Sequence, residues 1–100
     1  MIVAVPREIS GGERRVALVP DAVKQLKGKG IDVVGERGAG AAAGFEDGAY
    51  EKAGATLEPN ARALFAGADV VLKVQPPAAR PDGSHEIDAL RAGSVLIGFL

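Results

Sequence analysis

Short apolar runs separated by helical segments constrain this chain more than any other feature. "IVAV" (Ile2–Val5), "IDVV" (Ile31–Val34), "ATL" (Ala55–Leu57), "DVVLKV" (Asp69–Val74) and "SVLIGFL" (Ser94–Leu100) read as strands. Three of the five are almost continuously apolar instead of alternating, the mark of strands covered on both faces, as in a parallel sheet. Four helical segments lie between them, each ending at a glycine: Pro20–Lys29 at Gly30, Glu46–Ala53 at Gly54, Ala61–Ala66 at Gly67 and His85–Ala92 at Gly93. Glycine takes the left-handed conformation that closes a helix. Pro20 suits a first turn, and Asn60 and Ser84 are cap residues for the third and fourth helices. Phe45, Ala49 and Ala53 share one face of the second.

Strand–helix alternation with right-handed crossovers predicts a doubly wound α/β fold: a Rossmann-like, mainly parallel, five-stranded sheet. "ATL" is the weakest strand and belongs at an edge, which gives the order 3-2-1-4-5. Strands 1 and 4 are then neighbours whose following loops diverge, and ligands of open α/β sheets bind at such a switch point, outside the carboxyl ends of the strands. The proline-bearing stretch Gln75–Gly83 reads as an exposed loop.

Composition narrows the chemistry. One hundred residues allow one domain. Twelve basic residues against thirteen acidic ones give a net charge of −1, so no basic field exists to attract nucleic acid. With no cysteine and one histidine, neither a disulfide nor a metal site is expected. The apolar start is too short for a signal peptide, and no run approaches the roughly 20 apolar residues of a membrane span. The chain reads as soluble and globular.

Two loops meet at the switch point. "PREISGGERRVALVP" follows strand 1 with Arg7, Glu8, Glu13, Arg14 and Arg15, and "LKVQPP" ends strand 4 with Lys73 and Gln75. Arginines on such a loop can hold a carboxylate or phosphate by bidentate hydrogen bonds. They can equally pair with Glu8 or Glu13 and fasten the loop, and residue spacing leaves both open. His85 reads as a solvated helix-start residue, no Ser–His–Asp set or metal cluster is present, and no catalytic residue is assigned.

"ERGAGAAAGFED" carries Gly38, Gly40 and Ala43 in the G-x-G-x-x-A pattern of a dinucleotide loop, with Glu58 about twenty residues on as its ribose-binding acid. Its context disagrees. Gly35, Glu36 and Arg37 separate the glycines from the apolar run, and the following helix starts with Glu46 and Asp47, which would repel a pyrophosphate. Gly38, Gly40 and Ala43 are therefore expected to be structural, small residues that let the backbone pack closely.

"MIVAVPREI", "GERRVALVPDAV", "ERGAGAAAGFEDGAYEKAGA" and "ADVVLKVQPP", in this order and across nearly the whole chain, resemble the N-terminal region shared by alanine dehydrogenases and the α subunit of proton-translocating NAD(P) transhydrogenases. In alanine dehydrogenases the fourth-strand motif looks like "LKVKEP", and its second lysine binds the carboxylate of pyruvate or alanine with the arginine of "RVA". Arg15 matches that arginine, while Gln75 stands where the lysine should be. A neutral amide does not replace an ammonium, so the resemblance favours the transhydrogenase branch, with alanine dehydrogenase as the alternative and a non-catalytic docking domain as a third.

What the resemblance implies is hydride transfer between NADH and NADP+ coupled to proton translocation. Arg15 and Gln75 would line a substrate-like pocket, and NAD(H) would be bound mainly by a domain outside this segment. The implied partners are a second copy in a homodimer and the membrane-embedded and NADP(H)-binding subunits, on the cytoplasmic side of the inner membrane. Because the sequence stops within "VLIGFL", residues 1–100 are expected to form an incomplete N-terminal subdomain, with an NAD-binding Rossmann subdomain beyond residue 100.

Overall fold

The computed structural model describes residues 1–9, 11–75, 78, 80 and 85–98, residues 87 and 88 by their backbone only. Its elements are β1 (Ile2–Val5), α1 (Pro20–Gly28), β2 (Asp32–Glu36), a 3-10 turn (Ala41–Ala43), α2 (Asp47–Ala53), β3 (Thr56–Glu58), α3 (Ala61–Gly67), β4 (Val70–Lys73), α4 (Glu86–Ala89) and β5 (Val95–Gly98). The strands form one sheet in the order β3-β2-β1-β4-β5, every neighbouring pair parallel, as the apolar pattern predicts. The expected cap Ser84, most of the loop after Gln75 and the last two residues of the fifth apolar run lie outside the described residues.

Both faces of the central strands are covered, which explains their unbroken apolar character. Successive strand residues point to opposite faces. Val5 and Val33 join Val23 of α1, Tyr50 of α2 and Ala55 in one layer. Ala4 and Val71 join Leu64, Phe65 and Ala68 in the other, with Val34 and Leu96 packed against them. α1 begins at Pro20 without a side-chain cap. α3 is capped by Asn60, whose side-chain oxygen accepts from the Ala63 N–H at 3.1 Å.

Three expectations need correction. β2 runs on to Glu36 instead of stopping at Val34, because Gly35 and Glu36 pair with Leu57 and Glu58 of β3. β5 is not covered on both faces: Val95 and Ile97 remain 53% and 50% exposed, while Leu96 turns inward. α4 is one turn, not two. Beyond it the chain bends so that the Arg91 guanidinium can pair with Asp69, and the Ser94 N–H and hydroxyl both donate to the Arg91 carbonyl.

The connection after β2 is tied to α1 through one ring. Tyr50 is buried, its hydroxyl donates to the Leu18 carbonyl at 2.9 Å, and burial pushes its phenol up to about 12. The side chain packs against Gly40, where a Cβ would fall 2.5–2.9 Å from three of its atoms. Gly40→Ala should therefore lower stability by about 1–3 kcal/mol, the usual cost of overpacking. Gly48→Ala in α2 meets nothing within 4 Å and should stabilise instead, by up to about 1 kcal/mol. Paired urea melts of the two variants check the opposite signs.

Candidate functional site

The chain leaves β1 through the buried Pro6 and turns across the carboxyl edge of the sheet. Glu8 reaches the end of β4, where its carboxylate accepts from the Val74 N–H at 2.9 Å, the Gln75 N–H at 3.1 Å and the Lys73 ammonium at 3.1 Å. The Lys73 and Glu8 side chains are 1% and 2% exposed. Lys73 Nζ also lies 3.3 Å from Glu86 Oε1 at the start of α4. Glu86 accepts from the Ala78 N–H at 3.0 Å and from Arg80 Nη1 at 2.5 Å. Arg80 Nη2 continues to Glu36 at 2.8 Å, and Glu36 accepts the Arg7 N–H at 2.8 Å. The Arg80 guanidinium stands 5.6 Å from the centre of the Phe65 ring, close enough for cation–π attraction.

Glu8, Lys73, Glu86, Arg80 and Glu36 thus form one buried chain of alternating sign, three carboxylates and two cations. Among the described residues no buried side-chain nitrogen or oxygen lacks a hydrogen bond. That matters because a buried charge is tolerated only when it is paired and hydrogen-bonded. Next to this chain opens a cleft of about 310 Å³ lined by Arg7, Glu36, Asn60, Arg62 and Arg80.

Above the buried chain lies a second, more exposed cluster that joins the two pocket residues named by the resemblance. Glu13 Oε2 accepts from Arg15 Nε at 3.0 Å and from the Arg15 N–H at 2.9 Å. Its Oε1 accepts from Arg15 Nη2 at 2.8 Å and from Gln75 Nε2 at 2.6 Å. The bidentate Arg15 bond, then the Gln75 amide, then the Arg15 N–H hold the Glu13 carboxyl well below the usual carboxylate range. Glu13 in turn raises the Arg15 guanidinium. Arg15 itself is 69% exposed.

Of the alternatives left open by spacing, the pairing of Arg15 with Glu13 is the one that forms. Lys73 is no exposed anion holder, since it is enclosed between Glu8 and Glu86. His85, just before α4, is half-buried and makes an interaction with its surroundings. Glu36, Arg80 and Glu86 went unrecognised in the sequence. The available signal was Lys73 itself: an ammonium inside "VVLKV" requires buried acids to face it.

Gly38 lies only two residues past β2, so distance from the strand does not separate the glycine loop from a dinucleotide loop. What occupies the loop does. The Gly38 N–H, at a backbone φ of +79°, donates to Asp47 Oδ1 at 2.9 Å, and the Tyr50 ring fills the space at Gly40. Ala43 belongs to the 3-10 turn. Glu58 accepts the Asn60 N–H at 3.0 Å. Among the described residues no group of three or more His, Cys, Asp or Glu side chains is placed to hold a metal ion, and no helix is long and apolar enough to cross a membrane.

Two measurements probe these clusters. Lys73→Met leaves Glu8 buried without its cation and Glu86 with Arg80 alone, and should cost about 3–5 kcal/mol in urea unfolding. Lys27→Met breaks the exposed pair with Asp32 and should cost less than about 1 kcal/mol. Glu13, its folded value depressed, contributes stability that is fully present above the ordinary glutamate range and is lost progressively as pH falls from that range to the lower folded value. Its carboxyl carbon resonance should show no inflection near about pH 4, where free glutamate titrates.

Residues 4–100 match the family described as alanine dehydrogenase/PNT, N-terminal domain. Over 99 residues the chain is 46% identical to NAD(P) transhydrogenase subunit alpha of Cereibacter sphaeroides, covering 99% of this chain and 18% of that protein. It is 42% identical over 100 residues to alanine dehydrogenase of Halomonas elongata, covering 100% of this chain and 26% of that protein. The crystal structure of transhydrogenase from Sinorhizobium meliloti matches with a TM-score of 0.88 at 41% identity, over 100% of this chain and 27% of the other. The chain thus spans between 18% and 27% of the length of these proteins. With 97 of its 100 residues inside the family match, which runs from residue 4 to residue 100, the chain belongs to the alanine dehydrogenase/PNT N-terminal domain family.

Proposed function

We propose that this chain works as the N-terminal subdomain of the α subunit of an NAD(P) transhydrogenase, which passes hydride between NADH and NADP+ and couples the transfer to proton translocation. Overall similarity hardly separates the two branches, since the transhydrogenase and alanine dehydrogenase relatives are 46% and 42% identical. The observation that carries the choice is Gln75. Its amide donates to Glu13 at 2.6 Å, at the position where the resemblance to alanine dehydrogenase requires an ammonium for a substrate carboxylate.

In this proposal Arg15 and Gln75 line the pocket, and Gly38, Gly40 and Ala43 are scaffold. The glycine loop does not fit a pyrophosphate, because the Asp47 carboxylate already accepts the Gly38 N–H. NAD(H) is then held mainly by a further domain beyond residue 100. The nicotinamides supply and receive the hydride themselves. The contribution of this chain is a rigid edge at the switch point: the buried ion chain fixes the exits of β1 and β4, and the Glu13 cluster rests on it. The proposed assembly is a homodimer on the cytoplasmic side of the inner membrane, with membrane-embedded and NADP(H)-binding subunits as partners.

The decisive assay gives the protein, with its partner subunits, NADH and an NADP+ analogue whose reduced form absorbs apart from NADH. A parallel sample receives NADH, pyruvate and ammonium. Nucleotide-to-nucleotide transfer without reductive amination is the expected result. NADH oxidation that depends on pyruvate and ammonium would assign the chain to the alanine dehydrogenase branch instead.

A further inference from the structure

We infer that the cleft bordered by Arg7, Arg62 and Arg80 is a binding site for a phosphate group, carried by a small molecule or free in solution. The cleft holds about 310 Å³, within the roughly 300–1,000 Å³ of small-ligand sites. Arg7 follows β1, Glu36 ends β2, Asn60 follows β3 and Arg62 is the second residue of α3, so the cleft lies on the carboxyl edge of the β1-β2-β3 half of the sheet. Ligands of open α/β sheets sit outside that edge. No residue of the Glu13–Arg15–Gln75 cluster lines it, so the inference stands apart from the choice between transhydrogenase and alanine dehydrogenase.

Charge at the cleft is unbalanced. Arg15, Arg37, Arg80 and Arg91 each meet a carboxylate. Arg7, Arg14 and Arg62 meet none among the described residues, and two of these three share the cleft. Arg7 reaches Glu36 through its backbone N–H, not its guanidinium. Glu36, the one acid in the lining, is already answered by Arg80 Nη2 at 2.8 Å. Glu58 gives its carboxylate to the Asn60 N–H and is not part of the lining. Two guanidinium charges are thus left over at one cavity, where they repel each other until an anion joins them.

The groups on offer are donors. A guanidinium has five N–H groups and no acceptor. Asn60 spends its side-chain oxygen on the Ala63 N–H at 3.1 Å, so its NH2 is the end left over. Arg80 is fixed in advance: its side chain is 6% exposed, clamped by Glu36 and Glu86, with the Phe65 ring centre 5.6 Å away. Such ordering before binding lowers the entropic cost of taking a ligand. Arg7 and Arg62 are exposed and supply the excess charge. A phosphate group suits this set better than a carboxylate does. It carries up to two negative charges on three acceptor oxygens, which answers two free guanidiniums and donors from several elements. A carboxylate carries one charge and is filled by a single arginine fork.

The test titrates the ¹⁵N-labelled full-length protein with inorganic phosphate in exchange for chloride, so that ionic strength and screening stay fixed. The Nε–H signals of Arg7, Arg62 and Arg80 should shift together and saturate. Acetate should need concentrations at least about fivefold higher, the factor for one charge about 4 Å away in water. Arg7→Gln and Arg62→Gln should each weaken phosphate binding by at least about fivefold on the same ground. Both side chains are exposed, so the fold is spared. Arg14→Gln makes the same charge change outside the cleft and should leave binding alone. Glycerol phosphate separates the two sources: tighter binding than inorganic phosphate marks an esterified ligand, equal or weaker binding the free ion. A loss with Arg14→Gln as large as with the other two would reduce the effect to net charge and overturn the inference. So would acetate or succinate binding as tightly as phosphate, or the absence of a saturable shift.

Discussion

An ammonium buried in a parallel sheet dictates much of what surrounds it. Lys73 ends β4 with its side chain 1% exposed, and removing it from water is tolerable only with acids in contact on more than one side. Glu8 comes from the loop after β1 and Glu86 from the first residue of α4. Glu86 then requires Arg80, and Arg80 requires Glu36 at the end of β2. One cation thereby draws three sheet strands and one helix to a common point. That point is the carboxyl edge where the topology reverses direction. Such a network adds little net stability compared with an apolar core of the same volume, but it penalises any arrangement in which one member is missing.

The glutamates of the β1–α1 loop divide the work. Glu8 is buried and uses backbone N–H groups as well as the ammonium, so it fastens the loop to the exit of β4. Glu13 sits higher and meets only Arg15 and Gln75. The inner glutamate fixes where the loop lies, and the outer one fixes how two exposed side chains are turned. With Arg15 exposed, the Arg–Glu pair adds little to stability. Its value here is geometric, because it orders a long, mobile guanidinium beside an amide whose two ends are chemically different.

The sheet was legible because its physics is local. Continuous apolar runs, helix-closing glycines and a weak third strand lead directly to the observed strand order. Strand ends were less legible. Glu36 extends β2 because its backbone pairs with Glu58 across the sheet, and a polar residue at a strand end carries no apolar signal. β5 misled for the opposite reason: its apolar letters promised cover that the described elements supply on one side only. Near the switch point, resemblance singles out Arg15 and Gln75, and spacing offers Arg15–Glu13 as one of several possible pairings, the one that the structure forms. Arg80 and Glu86 were not found: they pair with each other within six residues, but Glu36, the other partner of Arg80, lies 44 residues away, and nothing in a proline-rich loop shows which of its charges will be enclosed.

The strand order also bears on how the molecule is assembled during synthesis. β1 is made first yet lies at the centre, and β4 cannot join it until some seventy residues have been made. The earlier half, β1-β2-β3 with α1 and α2, contains Glu8 and Glu36, while Lys73 and Arg80 arrive only with the later half. A nascent chain therefore carries acids destined for burial before their cations exist, and these must stay hydrated until then. Desolvation of the carboxyl edge is therefore tied to the docking of β4 and requires that the two halves of the sheet have found each other.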